Sequence, residues 1–463
     1  MNEFCHESGA SINTQSMSLT ACDVLRALGE PNAFGGSPPF WDVAMAARPD
    51  TGAPFLDLAT LSARRALSGL PAERDRMLHD MVLTISADRA LQCLAWYLHW
   101  QVFVAPEHGG PWGCPPLHQR LGSRAGLFYQ LLALEFAPCL ARWHRQLGYP
   151  ATVTAETVQQ IASYESNHLR GRGEPGLYEN QFSWLVAYLT MPYVRLGRFE
   201  YQLPAAYDGG VTVWRRTRDG HVLALAEDGA RVADDGLLLA ADAPEAAGWT
   251  AHLVEDEAQK TVSGFPIDPA GRILQQSVQL PRDEWNLCLR KGMDVLNLHI
   301  PAGGCMTWDA MTESFQRARA FFAQHHPDRR FGALAVGTWF MDPRLAEILP
   351  ADSNMLRLQR ASYLFPTPPG SGGLWFVFLK KINGVDPATL PRDTSLRRAL
   401  ADFLATGKSW HGGGMFLLPE DMTNLREGCY SERFEALAAE LGITPFAAIQ
   451  DQKTVGQADN GKD

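Results

Sequence analysis

The stretch from Asp294 to Pro350, DVLNLHIPAGGCMTWDAMTESFQRARAFFAQHHPDRRFGALAVGTWFMDPRLAEILP, decides how the second half of the chain is read. Val295, Leu296, Leu298 and Ile300 form an apolar run of strand length, closed by Pro301, whose missing N–H cannot extend a sheet ladder. Ala302, Gly303 and Gly304 turn the chain. From Thr307 the spacing predicts a helix: Trp308, Met311, Phe315, Ala318 and Phe322 recur three or four residues apart and make one apolar stripe. The stripe fades at His325, His326 and Pro327. A second apolar run, Phe331 to Phe340, reads as a returning strand that ends on Met341, Asp342 and Pro343.

A strand that feeds a glycine turn and then a helix N-terminus gathers free backbone N–H groups and the positive end of the helix dipole in one place. Such a place suits a phosphate or a developing negative charge. The same unit is also ordinary packing in many folds, and Asp309 in the first helical turn already gives the dipole a carboxylate. Both readings stand at this level.

Working outward, 463 residues suffice for two or three domains and a large core. An apolar content of 46% and a charged content of 20% are those of an ordinary soluble protein. A formal charge of -10 argues against a basic face for nucleic acid, so no such partner is expected. The cysteines at 5, 22, 93, 114, 139, 288, 305 and 429 form no C-x-x-C pair, as expected of reduced thiols in a cytoplasmic protein. Residues 1–18 lack the basic start and apolar core of a secretory signal and are expected to be disordered. Leu91 to Ala105 and Leu127 to Ala141 carry His99, Gln101 and Glu135 and are too short for a bilayer, so no membrane partner is expected. Oligomeric state is not legible.

Residues 19–175 are helical in pattern. Leu91, Leu94, Ala95 and Leu98 share a face, Thr154 looks like a helix cap, and Pro106 to Pro116 is a loop. After a helix at Gln181 to Leu189 the regime changes. Asp219-Gly220, Asp228-Gly229, Asp235-Gly236 and the turn Asp268 to Gly271 separate short apolar runs, which predicts an antiparallel meander over residues 193–280. Beyond the central stretch, strands are expected at Asn354 to Tyr363 and Leu374 to Leu379, and helices at 394–405 and 431–441. The class is α+β: an all-helical N-terminal domain, 19–175, then a mixed, mostly antiparallel sheet with flanking helices, 176–445, and a disordered tail, 446–463.

Four motifs carry no chemistry on their own. Gly171-Arg-Gly173-Glu-Pro-Gly176 matches a dinucleotide fingerprint in letters but follows a helix and meets a proline, so it is a linker. Gly407-Lys408-Ser409 lacks the first glycine and the strand of a P-loop. His411 to Gly414 is similar to an esterase oxyanion loop, without any G-x-S-x-G nucleophile turn. Glu165 and His168 have di-iron spacing in a single copy, and no zinc spacing appears, so no metal is expected.

In the central stretch, His299 lies near the strand end, where a histidine either handles a proton or serves as a structural hydrogen-bonding group. Asp342 before Pro343 suits a helix cap as well as a site. Arg357, Arg360, Lys380 and Lys381 offer positive charge to a phosphate or to solvent.

The order Arg195-Leu-Gly-Arg198, Leu298-His-Ile-Pro-Ala-Gly303, Trp339-Phe-Met-Asp342 and Asp352-Ser-Asn354 resembles bacterial acyltransferase-domain proteins with a helical N-acyltransferase N-terminal domain and a GNAT-like C-terminal domain. In the GNAT superfamily the sheet splays between its fourth and fifth strands to admit acyl-CoA. The resemblance places the fourth strand at Asp294 to Ile300 and the fifth at Ala333 to Phe340. It implies that Ile300, Gly303, Gly304, Cys305, Met306 and Thr307 hold acyl-CoA as co-substrate, and that Trp339 and Asn354 line the substrate cleft. The implied reaction is transfer of an acyl group from CoA to an unidentified small-molecule amine by direct attack. His299 is the candidate for positioning or general base, Asp342 the second candidate, and Tyr363 the candidate donor to the leaving thiolate. The turn, Pro301 to Met306, departs from the superfamily pattern Q/R-x-x-G-x-G/A and has no arginine. The alternative is a non-catalytic acyl-CoA or small-ligand binding module that contacts a partner protein.

Overall fold

The structure, a computed structural model, describes residues 19–50 and 52–448. The expected disordered ends fall outside the described residues, apart from 446–448 of the tail. The chain divides into two compact units, one within Met1–Ala137 and Glu174–Val186, the other within Pro138–Gly173 and Ala187–Asp463.

The first unit is helical. Asp88 caps the helix Arg89–His99 by accepting from the N–H groups of Ala90 (2.9 Å) and Leu91 (3.1 Å), satisfying donors the helix cannot. The face predicted from Leu91, Leu94, Ala95 and Leu98 is buried, and so is nearly all the rest of that helix. Its last residue, His99, packs against Phe55, Trp96 and Phe103.

The second unit keeps the two helices Ala151–Val158 and Gln160–Arg172. Thr154 is not the cap: the helix begins after Pro150, and the Thr154 hydroxyl meets His144 Nδ1 at 3.0 Å. The linker glycine Gly173 ends its helix at φ +78, a left-handed conformation that glycine adopts without strain.

The main sheet has six strands, numbered here along the chain: β1 Tyr193–Leu196, β2 Phe199–Ala206, β3 Asp294–His299, β4 Leu334–Thr338, β5 Tyr363–Pro366 and β6 Gly413–Leu417. Their order in space is β1-β2-β3-β4-β6-β5. Only β3 and β4 run parallel; every other neighbouring pair is antiparallel, so the sheet is mixed and mostly antiparallel as expected. The parallel pair needs a crossover, which the helix Trp308–His325 supplies. Thr307 caps that helix through Ala310 N (3.3 Å), and Met311, Phe315, Ala318 and Phe322 of the predicted stripe are buried with Leu296, Leu298, Phe199 and Tyr201 from the sheet.

The meander is divided. β1 and β2 join the main sheet, while Val211–Arg216, Val222–Ala226, Pro266–Asp268 and Arg272–Ile273, with Trp285–Leu289, form a separate five-stranded antiparallel sheet. Asp219-Gly220 and the turn Asp268 to Gly271 close hairpins as expected; Asp228-Gly229 does not, since the strand before it pairs elsewhere. Two expected strands are helices. Asn354–Ala361 is a capped helix whose Leu358 and Ala361, three residues apart, enter the core of the sheet while Leu356 enters a satellite core, and only Tyr363 onward is extended. Leu374 to Leu379 forms short helical turns, Gly372–Leu374 and Trp375–Phe378, and Leu374, Val377 and Phe378 fill a satellite core with Leu400, Phe403 and Trp410. The helices Ser395–Ala405 and Cys429–Leu441 lie where expected.

Candidate active site

β3 and β4 pair only at Leu296 with Leu334 and Asn297 with Ala335. Beyond that point β4 stays with β6 through Val336, Gly337 and Thr338, while β3 stays with β2 as far as His299. Each strand is held by its outer neighbour, so the two part. His299 stands on one lip of the gap and the end of β4 on the other.

On β2 the residue directly opposite His299 is Glu200. Cross-strand partners put their side chains on the same face. Here that face is polar: Glu200 meets His299, and Asn297 Nδ2 donates to Gln202 Oε1 at 3.2 Å. The alternate residues, Tyr201 and Leu298, point to the other face and enter the core.

Glu200 is fully buried. Its Oε2 accepts from His299 Nδ1 at 2.6 Å and from the Tyr188 hydroxyl at 2.7 Å. A carboxylate removed from water needs such donors. Burial, reinforced by the charge of Glu200, pushes the Tyr188 hydroxyl well above the usual tyrosine range, so it remains a donor. Tyr164, which hydrogen-bonds Tyr188, and Tyr193, whose ring lies edge-on 6.0 Å from the His299 imidazole, are pushed up in the same way, first by burial. The carboxylate orients the imidazole: in the neutral ring, donation of Nδ1–H to Glu200 leaves the lone pair on Nε2. The His299 side chain is 29% exposed, so the ring lies open to a molecule in the gap.

After Pro301 the turn is open to solvent. Gly303 and Gly304 adopt φ +80 and +73, and Gly303, Gly304, Cys305 and Thr307 are exposed, with Ala302 and Met306 half-buried. Among the described residues, no amide of residues 302–306 donates to a protein acceptor. Ile300, at the start of this turn, packs on the edge of the core.

The other expected site residues take structural positions. Asp342 is fully buried; it pairs with Arg344 at 2.8 Å and accepts from the backbone of His411 (3.0 Å) and Gly412 (3.3 Å). The glycine-loop amides that resemble an oxyanion hole thus hold an internal carboxylate. Tyr363 lies on β5, three strands from β3 and so roughly 14 Å across the sheet. It is buried and its hydroxyl donates to Ile267 O at 2.5 Å, joining the main sheet to the five-stranded one; it has no place beside His299. Trp339 follows β4 in a helical turn, half-buried over Gly373, and Asn354 opens its helix behind the Ser353 cap. Arg357 and Arg360 both meet Glu427, so neither offers an unpaired charge to a phosphate. No group of three His, Cys, Asp or Glu is placed to hold a metal among the described residues.

Glu200, Tyr188 and the Tyr164 behind them were not legible as a site. The available signal was an acid between Phe199 and Tyr201, in the middle of an apolar strand.

The splayed parallel pair, with a buried acid and a histidine at its mouth, defines a GNAT-like class of domain. Residues 59–191 match the N-acyltransferase N-terminal domain and residues 193–417 the GNAT-like C-terminal domain, so the chain carries one domain of each kind, in that order. No protein of curated function matches the sequence. Among solved structures, an acyltransferase mutant in complex with octanoyl-CoA is 21% identical, with a TM-score of 0.56 over 85% of this chain and 98% of that one. An acyltransferase in complex with CoA and 10C-teicoplanin is 22% identical, with a TM-score of 0.55 over the same shares, 85% and 98%. At these identities the likeness is one of fold. No helix among the described residues is long and apolar enough to cross a membrane.

Proposed function

We propose that this protein is an acyl-CoA-dependent N-acyltransferase whose general base is His299. The observation that carries the reading is the His299–Glu200 pair at the point where β3 and β4 separate. The thioester lies in the gap, and the amine approaches over the polar face of β2 and β3. Its nitrogen lone pair attacks the carbonyl carbon, His299 Nε2 takes the proton, the C–S bond breaks, and the thiolate recovers a proton from the imidazolium. Glu200 holds the ring in the required tautomer and stabilises the imidazolium as it forms. The solved acyltransferases with octanoyl-CoA or CoA support the choice of donor, and the match to the N-acyltransferase N-terminal domain supports an amine as acceptor.

The test compares wild type with His299→Ala, using thermal shift for acyl-CoA binding and release of free CoA thiol in the presence of a panel of amines. The expected result is retained binding with turnover reduced about 10²- to 10⁴-fold. Undiminished turnover in the variant removes His299 from the chemistry. A wild type that binds acyl-CoA but acylates none of the amines favours the non-catalytic binding module.

A further inference from the structure

The turn after β3 has no arginine of its own, yet a guanidinium lies against it. β1 and β2 are joined by the two-residue turn Gly197-Arg198. Gly197, at φ +72, takes the left-handed conformation such a turn needs. The helix Trp308–His325 pins both flanks of this turn through one buried residue: Ser314 Oγ donates to Leu196 O (2.6 Å) and accepts from Phe199 N (3.1 Å). Arg198 is thereby directed at the glycine turn. Its Nη1 donates to Pro301 O at 3.0 Å, and a Cβ on Gly304 would stand 3.7 Å from its Cδ and 3.8 Å from its Nε.

The Arg198 guanidinium lies over the Phe199 ring, 5.5 Å from its centroid, and among the described residues it has no carboxylate partner. Its Nε is buried without an acceptor. The next arginine along the hairpin, Arg195, is only 8% exposed, and its Nη1 is also buried without an acceptor. The neighbouring acids face other partners: Glu156 takes Arg317 and the Gly197 N–H, and Glu200 gives Oε2 to both His299 and Tyr188, while its Oε1 is buried without a hydrogen-bond partner and its charge reaches Arg198 only through space. Burial first, and then repulsion from Arg195, lower Arg198 to about 10. Arg195 is buried and Arg198 half-buried; like charges drawn out of water without a carboxylate partner are costly, and an anion relieves that cost. The exposed amides of the glycine turn lie next to them.

We propose that Arg198, backed by Arg195, binds the diphosphate of the acyl carrier at the Gly303–Gly304 turn, so that a cation from the β1–β2 hairpin takes the place of the arginine missing from the turn itself. The identity of the carrier as CoA rests on the reading above; the diphosphate chemistry does not.

The experiment titrates wild type, Arg198→Ala and Arg198→Lys with CoA, with pantetheine, which has no diphosphate, and with inorganic pyrophosphate, by calorimetry. Circular dichroism and unliganded melting midpoints establish that the variants are folded. If Arg198→Ala does not fold, Arg198→Gln, which keeps a neutral donor for Pro301 O, replaces it. The expected result is a loss of about 10- to 100-fold in CoA affinity with pantetheine affinity unchanged. Lysine restores only part, since it keeps the charge without the fork. CoA binding by wild type that is equal in Arg198→Ala, or a loss shared equally by pantetheine, overturns the inference and leaves the acyltransferase reading standing. Arg198-dependent binding of pyrophosphate without any binding of CoA upholds the inference and ends the CoA reading. Wild type that binds none of the three overturns both.

Discussion

In the proposed reaction Glu200 acts through His299, so its removal separates positioning from structure. Glu200→Gln keeps an acceptor for Tyr188 and for the imidazole N–H but loses the charge that stabilises the imidazolium. The expected outcome is a fall in kcat of about 10- to 100-fold with KM for acyl-CoA unchanged, read from initial rates. Asp342 calls for the opposite result. Its carboxylate neutralises Arg344, itself only 6% exposed, and gathers two backbone N–H groups. Asp342→Ala leaves a buried cation unpaired at a cost of about 3–5 kcal/mol, so the melting midpoint should drop sharply. Turnover per folded molecule, measured well below that midpoint, should stay near wild type. A selective loss of kcat in this variant would instead place Asp342 in the chemistry.

At the scale of elements, the gap depends on two strands that, beyond Asn297 and Ala335, are each anchored on one side only. The hairpin β1–β2 holds β3, and Ser314 on the crossover helix locks that hairpin by meeting Leu196 O, Phe199 N and, at 2.7 Å, the Tyr201 hydroxyl. Ser314→Ala leaves buried polar groups without a partner. It should cost roughly 1–3 kcal/mol in chemical denaturation and weaken CoA binding as well, because the hairpin tip carries Arg198. Full retention of stability would mean that another group satisfies these donors and acceptors. Hairpins of this kind were legible where aspartate-glycine marked them. The partition of the strands into two sheets was not, because local turn signals say which neighbours fold back and nothing about which distant strand lies beside them.

For the molecule as a whole, each compact unit buries a histidine that is held neutral. In the first, burial, with the nearby Arg64, lowers His99 to about 3. In the second, burial lowers His144 to about 4. In the unfolded chain both protonate near 6.5. Between about 6.5 and 4 the unfolded state therefore binds more protons than the folded one, and stability falls as the pH is lowered through that window. Thermal melts at pH 7 and pH 5 should show a lower midpoint at pH 5, with the decline reduced in His99→Leu. An equal decline in that variant would assign the acid sensitivity to other groups.

The sequence by itself determined what depends on near neighbours along the chain: the strand, turn and helix of residues 294–325, the cap at Thr307, the apolar stripe and the position of His299 at a strand end. Periodicity and turn chemistry are local, and they survive in the folded state. Where a short apolar segment lacked a decisive period, as at Asn354 to Ala361 and Leu374 to Leu379, packing against a distant core chose helix over strand. Tertiary structure alone decided the partners. Glu200 is 99 positions from His299 and Arg198 103 from Pro301, and only the register of β2 on β3 makes them neighbours. A buried acid beside a histidine and an unpaired cation beside a glycine turn arise from pairing between distant strands, which no local pattern encodes.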